Sequence, residues 1–348
     1  MKPLALPTRE IKRAGLRLSE IGLGTAPLGN LFEPIADEAA RATLEAALDQ
    51  GITYIDTAPY YGFGLSERRV GEALRERDGF TISTKVGRLL LPDRSIHTDQ
   101  VRHGFRSAMP FEPRFDYSHD GVLRSFEESL ERLGLSRVDI VYVHDIGAVT
   151  HGADDARCFE ALTRGGGLRA LERLRSSGAI RGFGVGVNEI EACLRVMDHA
   201  QLDVILLAGR YTLLEQRAHQ LLFPRCERAG TAIVIGGPYN SGILASGVKS
   251  RAALRYDYHR PPADVIERVR QLECLCDEYR VPLAAAALQF PLAQPVVVSV
   301  VPGLDCADRV TETLALYRTP IPAALWDAMR ARGLLDESVP VPRGSSSR

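Results

Sequence analysis

One feature constrains this chain more than any other: short apolar runs alternate with longer amphipathic stretches along its whole length. The runs fall at residues 20–23, 54–56, 80–85, 138–143, 180–185, 204–207, 232–235 and 296–300. Helical patterns lie between and after them, at 37–50, 66–77, 121–133, 156–177, 189–199, 215–228, 262–279, 305–317 and 323–332. Repeated strand-then-helix order means parallel strands joined by right-handed crossovers. Such strands are covered on both faces and read as continuous apolar runs, as Asp139-Ile-Val-Tyr-Val and Val296-Val-Val-Ser-Val do. Eight units in 348 residues predict α/β architecture, a single (β/α)8 TIM barrel rather than an open sheet.

Local signals refine this expectation. Asp37 is placed to cap the first helix and Gly51 to stop it. Residues 10–19, with a turn at Gly15, read as an N-terminal hairpin plugging the barrel bottom. Long polar loops at 86–120, 145–155 and 236–262 follow the third, fourth and seventh strands. They therefore sit on the C-terminal face, where barrel enzymes keep their active sites. One domain is expected over 1–338, with 339–348 a disordered tail that also looks like a protease-cleavage remnant.

Composition excludes several function classes. A formal net charge of -1 provides no field for nucleic acid or an anionic membrane. No apolar run is long enough to span a bilayer, and the start does not read as a signal peptide. The six cysteines are scattered; Cys274 and Cys276 would point to different sides of a helix, so no metal site is expected. These readings predict a cytoplasmic protein with reduced thiols, a monomer or weak homo-oligomer acting on a small molecule.

Four polar residues carry the chemistry. Asp56 closes the second strand, Tyr61 follows it, and Lys85 and His144 close the third and fourth. All four converge on one rim. A charge closing an apolar strand is costly unless paired, and Asp56 and Lys85 on neighbouring strands can pair. The ammonium then faces Tyr61, whose phenol has an ordinary pKa of about 10. A cation beside it is expected to lower that value, fitting Tyr61 to exchange a proton with a carbonyl or hydroxyl oxygen. His144 would orient the same oxygen. A hydride must come from a cofactor. Each residue alone also has a structural reading; their convergence favours chemistry.

At these residues the sequence resembles the aldo-keto reductase family. The stretch Gly51-Ile-Thr-Tyr-Ile-Asp-Thr-Ala-Pro-Tyr-Tyr-Gly62, with Ser83-Thr-Lys-Val86 and Val143-His-Asp145, carries the likeness, which covers about residues 8–320. It implies catalytic roles for Asp56, Tyr61, Lys85 and His144, and a nicotinamide dinucleotide lying extended across the barrel mouth. Within the family, Gly24-Thr-Ala-Pro-Leu-Gly-Asn30, Leu206-Leu-Ala-Gly-Arg-Tyr-Thr-Leu-Leu214 and Gly236-Gly-Pro-Tyr-Asn-Ser-Gly-Ile-Leu244 are similar to aldose 1-dehydrogenases acting on L-fucose and other D-threo-aldoses. Pyridoxal 4-dehydrogenases share this look. The implied reaction removes hydride from C1 of a cyclic aldose and yields an aldonolactone. The alternatives are a pyridoxal 4-dehydrogenase, a general aldehyde reductase, or a non-catalytic cofactor-binding subunit.

The resemblance also implies a cofactor set: Gly24, Thr25, Asn188, Gly237, Tyr239, Ser241, Gly242, Pro302, Gly303, Arg309 and Glu312. The chain departs from the family pattern where Gly237 takes the register of a stacking Tyr and Ala208 that of a Gln. Arg309 matches a position that contacts the 2′-phosphate of NADP, while Asp305 brings a negative charge close by. Both NADP and NAD stay open, the balance tipping to NADP. Arg210, Tyr239, Asn240, Asp145 and Trp326 are expected to face the substrate.

Overall fold

The structure is a computed structural model describing residues 5–97, 100–250 and 253–343. It opens with the expected hairpin, β1 (Thr8–Ile11) antiparallel to β2 (Leu16–Ser19). Three barrel strands follow: β3 (Leu23–Gly24), β4 (Tyr54–Asp56) and β5 (Thr81–Val86). The loop after β5 folds on itself. It pairs β6 (Arg88–Pro92) with a later strand across a small ribbon of β7 (Val101–Arg102) and β8 (Phe105–Arg106); the later strand is β9 (Phe111–Phe115). The barrel resumes with β10 (Ile140–His144), β11 (Gly182–Val187), β12 (Val204–Ala208), β13 (Ala232–Gly236) and β14 (Val297–Val301). These eight strands form one sheet in sequence order, every pair parallel. Parallel bridges Ile21↔Val300 and Gly24↔Gly303 close it into the barrel.

The hairpin plugs the bottom. Ile11, Leu16 and Leu18 are buried against inward-facing Tyr54, Ile140, Tyr142, Val204, Val234 and Val298. Burial of that apolar surface anchors the plug, and ion pairs fasten its rim. Asp203 accepts the backbone N–H of Phe183 (3.0 Å) and pairs with Arg175 and Arg13. Asp139 has the equivalent role on the preceding strand connection, accepting from Ile82 N–H (2.9 Å) and pairing with Arg137. A larger apolar layer fills the space between the outer strand faces and the helices.

Several local expectations change. Asp37 is the first helical residue of Asp37–Asp49, not its cap; its carboxylate is drawn instead to Arg68 and Arg69. The stop at Gly51 holds, at φ +93°. The pattern at 156–177 splits into helices Asp155–Leu162 and Gly167–Ser176, because Gly165 and Gly166 interrupt it. That at 215–228 splits into Ala218–Leu221 and Phe223–Ala229, the second carrying Pro224 in its first turn. The helix Leu283–Gln289 has no amphipathic signal because most of it is buried, with Ala285, Ala286, Ala287 and Leu288 fully so. Val339, where the sequence suggests the tail begins, is buried and its carbonyl accepts from Arg330 (2.7 Å); 344–348 lie outside the described residues. No helix among the described residues is long and apolar enough to cross a membrane. All six cysteines are free, and no metal-binding cluster occurs among the described residues.

Candidate active site

Asp56, Lys85 and His144 end β4, β5 and β10 or lie one residue from the end, so all three reach the C-terminal rim together. Lys85 Nζ donates to Asp56 Oδ2 (2.6 Å), to the Thr57 carbonyl (3.0 Å) and to Tyr61 Oη (3.0 Å). The ring of Tyr61 stands edge-on to that of His144, 5.9 Å away. Gly186 on β11 leaves room for this arrangement, since a Cβ there would lie 3.3 Å from Lys85 Cε.

Below the rim the pair is held by residues to which the sequence assigns no role of their own. Ser83 donates to Asp56 Oδ1 (2.7 Å), and the hydroxyls of Ser83, Tyr54 and Tyr142 run in one chain (2.9 and 3.0 Å) through the barrel interior. Both oxygens of a nearly fully buried carboxylate are thus satisfied, which buried charge requires. Ser83 and Tyr54 look like ordinary strand residues in a run buried on both faces, and no periodicity marks them.

Tyr61 is positioned by close backbone packing. Its loop lies against the turn Pro27–Gly29, and a Cβ on Gly29 would come within 2.5 Å of the Tyr61 carbonyl carbon. Gly62, at φ +66°, is as tightly placed against Gly29. Arg69 fixes the opposing turn by donating to the carbonyls of Leu28 and Ile35 (2.7 Å each) and to Asn30 Oδ1 (2.8 Å). Thr25 is fully buried. Its hydroxyl donates to the Asp56 carbonyl (2.9 Å) and its own carbonyl accepts from Ser66, so its polar groups serve this packing and not the open mouth.

The electrostatics correct one expectation. Tyr61's phenol is raised above its ordinary value, not lowered: burial is the largest cause, Lys85 pulls down, and Asp56 and Asp145 push up. Asp56 spends much of the lysine's field, so the phenol holds its proton. Burial disfavours the Lys85 ammonium, yet Asp56 and Tyr61 together hold it above the ordinary lysine range. His144 is pushed well below the usual imidazole range by burial, then by Arg88 and Lys85, and is therefore neutral near pH 7. Its Nδ1 is buried without a hydrogen-bond partner among the described residues.

Asp145 sits at the mouth beside His144, its Oδ2 3.5 Å from His144 Nε2. It pairs with Arg88, a buried residue from β6 whose guanidinium stacks on Tyr60 (3.7 Å) and Phe115 (4.9 Å). Nothing in the sequence marks Arg88, because the course of loop 86–120 is not written in any period. The loop 236–262 contributes Tyr258, a largely exposed residue whose phenol is nonetheless held above its ordinary range, by burial of the hydroxyl end first and then by Tyr61, Asp145 and Asp257, with Lys85 pulling it down. Its N–H donates to Ser241 Oγ (2.9 Å). Two expected substrate contacts are reassigned. Trp326 is fully buried, packed toward Phe290 in the outer core, and cannot reach a substrate. The Arg210 guanidinium is taken by both Asp257 oxygens (3.0 and 2.9 Å) and the Asn188 carbonyl (2.8 Å), which makes it a latch for the loop.

Most of the remaining expected cofactor residues come from the segments after β13 and β14, whereas Gly24 ends β3 and Asn188 follows β11, its carbonyl taken by Arg210. Gly237 (φ +55°) and Gly242 (φ +102°) bracket Tyr239, Asn240 and Ser241, and nothing lies within 4 Å of where a Gly242 Cβ would stand. Tyr239 Oη and Asn240 Oδ1 are buried and have no partner among the described residues. Beyond them, Pro302 accepts from Gly24 N–H (2.9 Å), Gly303 is exposed, and exposed Arg309 and Glu312 follow on the helix Ala307–Arg318. Arg309 is close enough to act on the Tyr239 phenol, and it pairs with Asp305 at 3.7 Å. Orphaned buried acceptors and donors beside an open glycine-rich turn fit a polar, extended ligand.

The model of the Aldo/keto reductase family matches residues 20–332. The chain is 44% identical to a pyridoxal 4-dehydrogenase of Microbacterium luteolum, over 94% of this chain and 97% of that one. It is 40% identical to a D-threo-aldose 1-dehydrogenase of a Pseudomonas species, over 90% and 93%. The fold is similar to that of an aldo-keto reductase from Bacillus halodurans in its holo form, with TM-score 0.71 and 24% identity over 96% of this chain and 98% of that one. The expected barrel and the expected subgroup are therefore both met, and the chain is an oxidoreductase that belongs to the aldo/keto reductase family.

Proposed function

We propose that the protein oxidises a cyclic hemiacetal to a lactone with NAD or NADP, its substrate being an aldose such as L-fucose or a related D-threo-aldose. The observation that carries this reading is the Asp56–Lys85–Tyr61 chain, at 2.6 and 3.0 Å, opening beside a neutral, partly unsatisfied His144. A bound nicotinamide would supply the hydride acceptor for oxidation and the hydride donor for the reverse. Gly237, Tyr239, Asn240, Ser241, Gly242, Gly303, Arg309 and Glu312 would hold the dinucleotide.

The chain's own residues handle the proton. His144 donates or accepts one hydrogen bond at the reacting oxygen and orients it. Tyr61 receives the hydroxyl proton in oxidation and returns it in reduction. Lys85 stabilises the phenolate, and Asp56 keeps the ammonium in place. Because the resting phenol is protonated, reduction can start from that state, whereas oxidation improves as pH rises.

Pyridoxal is the second reading. The relative bearing that name is the more similar of the two, and Tyr60, only partly buried and backed edge-to-face by the buried rings of Phe63 and Phe105 (5.8 and 5.5 Å), offers an aromatic surface that suits a flat ring. Aldoses and pyridoxal share a chemical feature: an aldehyde with a hydroxyl able to close on it. The test is a panel of aldoses, pyridoxal and simple aldehydes with each cofactor, following reduced nicotinamide and identifying the product. Lactone formed from an aldose supports the first reading. Turnover of pyridoxal alone moves the assignment to the second, and turnover of simple aldehydes alone removes both.

A further inference from the structure

Asp145 is an unusual neighbour for a neutral histidine. It has φ +49°, a left-handed conformation that non-glycine residues seldom adopt, and its N–H is tied to the Gly186 carbonyl (2.9 Å). Its Oδ2 meets Arg88 and lies 3.5 Å from His144 Nε2. Its Oδ1 takes no hydrogen bond from the described residues. The side chain is 23% exposed, so that oxygen is reachable from the mouth. Arg88 is 6% exposed in its side chain, clamped between two aromatic rings, and pairs with no other acid among the described residues. A buried cation held by stacking fixes one carboxylate oxygen and leaves the other as a charged acceptor beside the reacting group.

We propose that Arg88, acting through Asp145, makes the site select carbonyl compounds or hemiacetals that carry a hydroxyl next to the reacting carbon. The free Asp145 oxygen accepts that hydroxyl, and Arg88 is the positioning residue that holds the carboxylate there. This inference rests on the hydride-transfer reading above and deepens it. A hydrogen bond to a charged acceptor is the strong kind, and leaving it unmade opposite a substrate that lacks the hydroxyl costs about 10- to 100-fold in kcat/KM.

Two substrate pairs test this: an aldose against its 2-deoxy analogue in oxidation, and 2-hydroxypropanal against propanal in reduction. Wild type is expected to prefer the hydroxylated member of each pair by about 10- to 100-fold. Asp145→Asn and Arg88→Met should each bring the ratio to within a few-fold of one, while Arg88→Lys should keep most of it. Cofactor affinity, read by quenching of protein fluorescence, should stay the same throughout. Asp145→Asn keeps side-chain size and so tests the idea even if Arg88→Met does not fold. A wild-type ratio near one, or a ratio unmoved by Asp145→Asn, overturns the inference. If no aldose is oxidised, the sugar reading fails on its own, and the 2-hydroxypropanal to propanal ratio still decides the role of Asp145.

Discussion

At the scale of single residues, the proposed reaction assigns proton transfer to Tyr61 and its cation. Tyr61→Phe keeps the ring and removes the one group placed to move the proton. Turnover should fall by at least about 10²- to 10⁴-fold, with cofactor binding retained; near-normal turnover would strip Tyr61 of its role. Lys85→Met removes the cation that pulls the phenol down, so the phenol rises further. The rising limb of the oxidation profile should then move to higher pH, measured as kcat/KM against pH at fixed ionic strength. Neither enzyme should show an inflection in the ordinary imidazole range, because burial keeps His144 neutral there. Asp56, Lys85 and His144 are legible in the sequence because Asp, Lys and His at the ends of apolar runs need a reason to be there, and Tyr61 is legible through the motif it shares with Asp56. Arg88 and Tyr258 are not, since they come from loops whose path is set by tertiary contacts. The raised Tyr61 phenol escapes sequence reasoning because sequence shows that a cation is near but not how deeply the group is buried.

At the scale of elements, backbone contact between two turns places the site. Gly62→Ala puts a methyl against the Gly29 backbone at φ +66°. Overpacking and left-handed strain together predict a loss of about 2–4 kcal/mol, with a fall in turnover because Tyr61 is displaced. Gly71→Ala is the control. It drives a methyl into the Leu133 carbonyl where the helices Leu65–Leu74 and His119–Leu133 cross, away from the site. The clash is with rigid backbone and closer than at Gly62, so it should lower thermal stability by about 3 kcal/mol or more, while turnover of the folded protein well below its Tm stays normal. Thermal unfolding and steady-state assays on both variants check this contrast. The strand order, the hairpin plug and the long loops on one face are all readable, because alternation and apolar continuity follow from the barrel itself. The interrupted helices and the buried helix Leu283–Gln289 are not, since glycine breaks and uniformly apolar segments carry no helical period.

At the scale of the whole molecule, the proposed reaction has a dinucleotide reach from the Arg309 end of the mouth to the tetrad. Arg309 and Asp305 are both more than half exposed, so their pairing at 3.7 Å is worth under about 1 kcal/mol. A direct contact between Arg309 and a 2′-phosphate is worth about 1.5–3 kcal/mol, which predicts a modest NADP preference with NAD still usable. Arg309→Ala should raise KM for NADP about tenfold or more and leave that for NAD nearly unchanged. Equal effects on both would show that Arg309 does not read the phosphate. The central claim is that hydride leaves the hemiacetal carbon for the nicotinamide while Tyr61 takes the proton. It is tested most directly with an aldose deuterated at C1 and oxidised cofactor, following the reduced nicotinamide by proton NMR. The deuterium should appear on the nicotinamide ring, a lactone should accumulate, and Tyr61→Phe should abolish both. Deuterium released to water, or retained in the product while the cofactor is reduced, would contradict the claim.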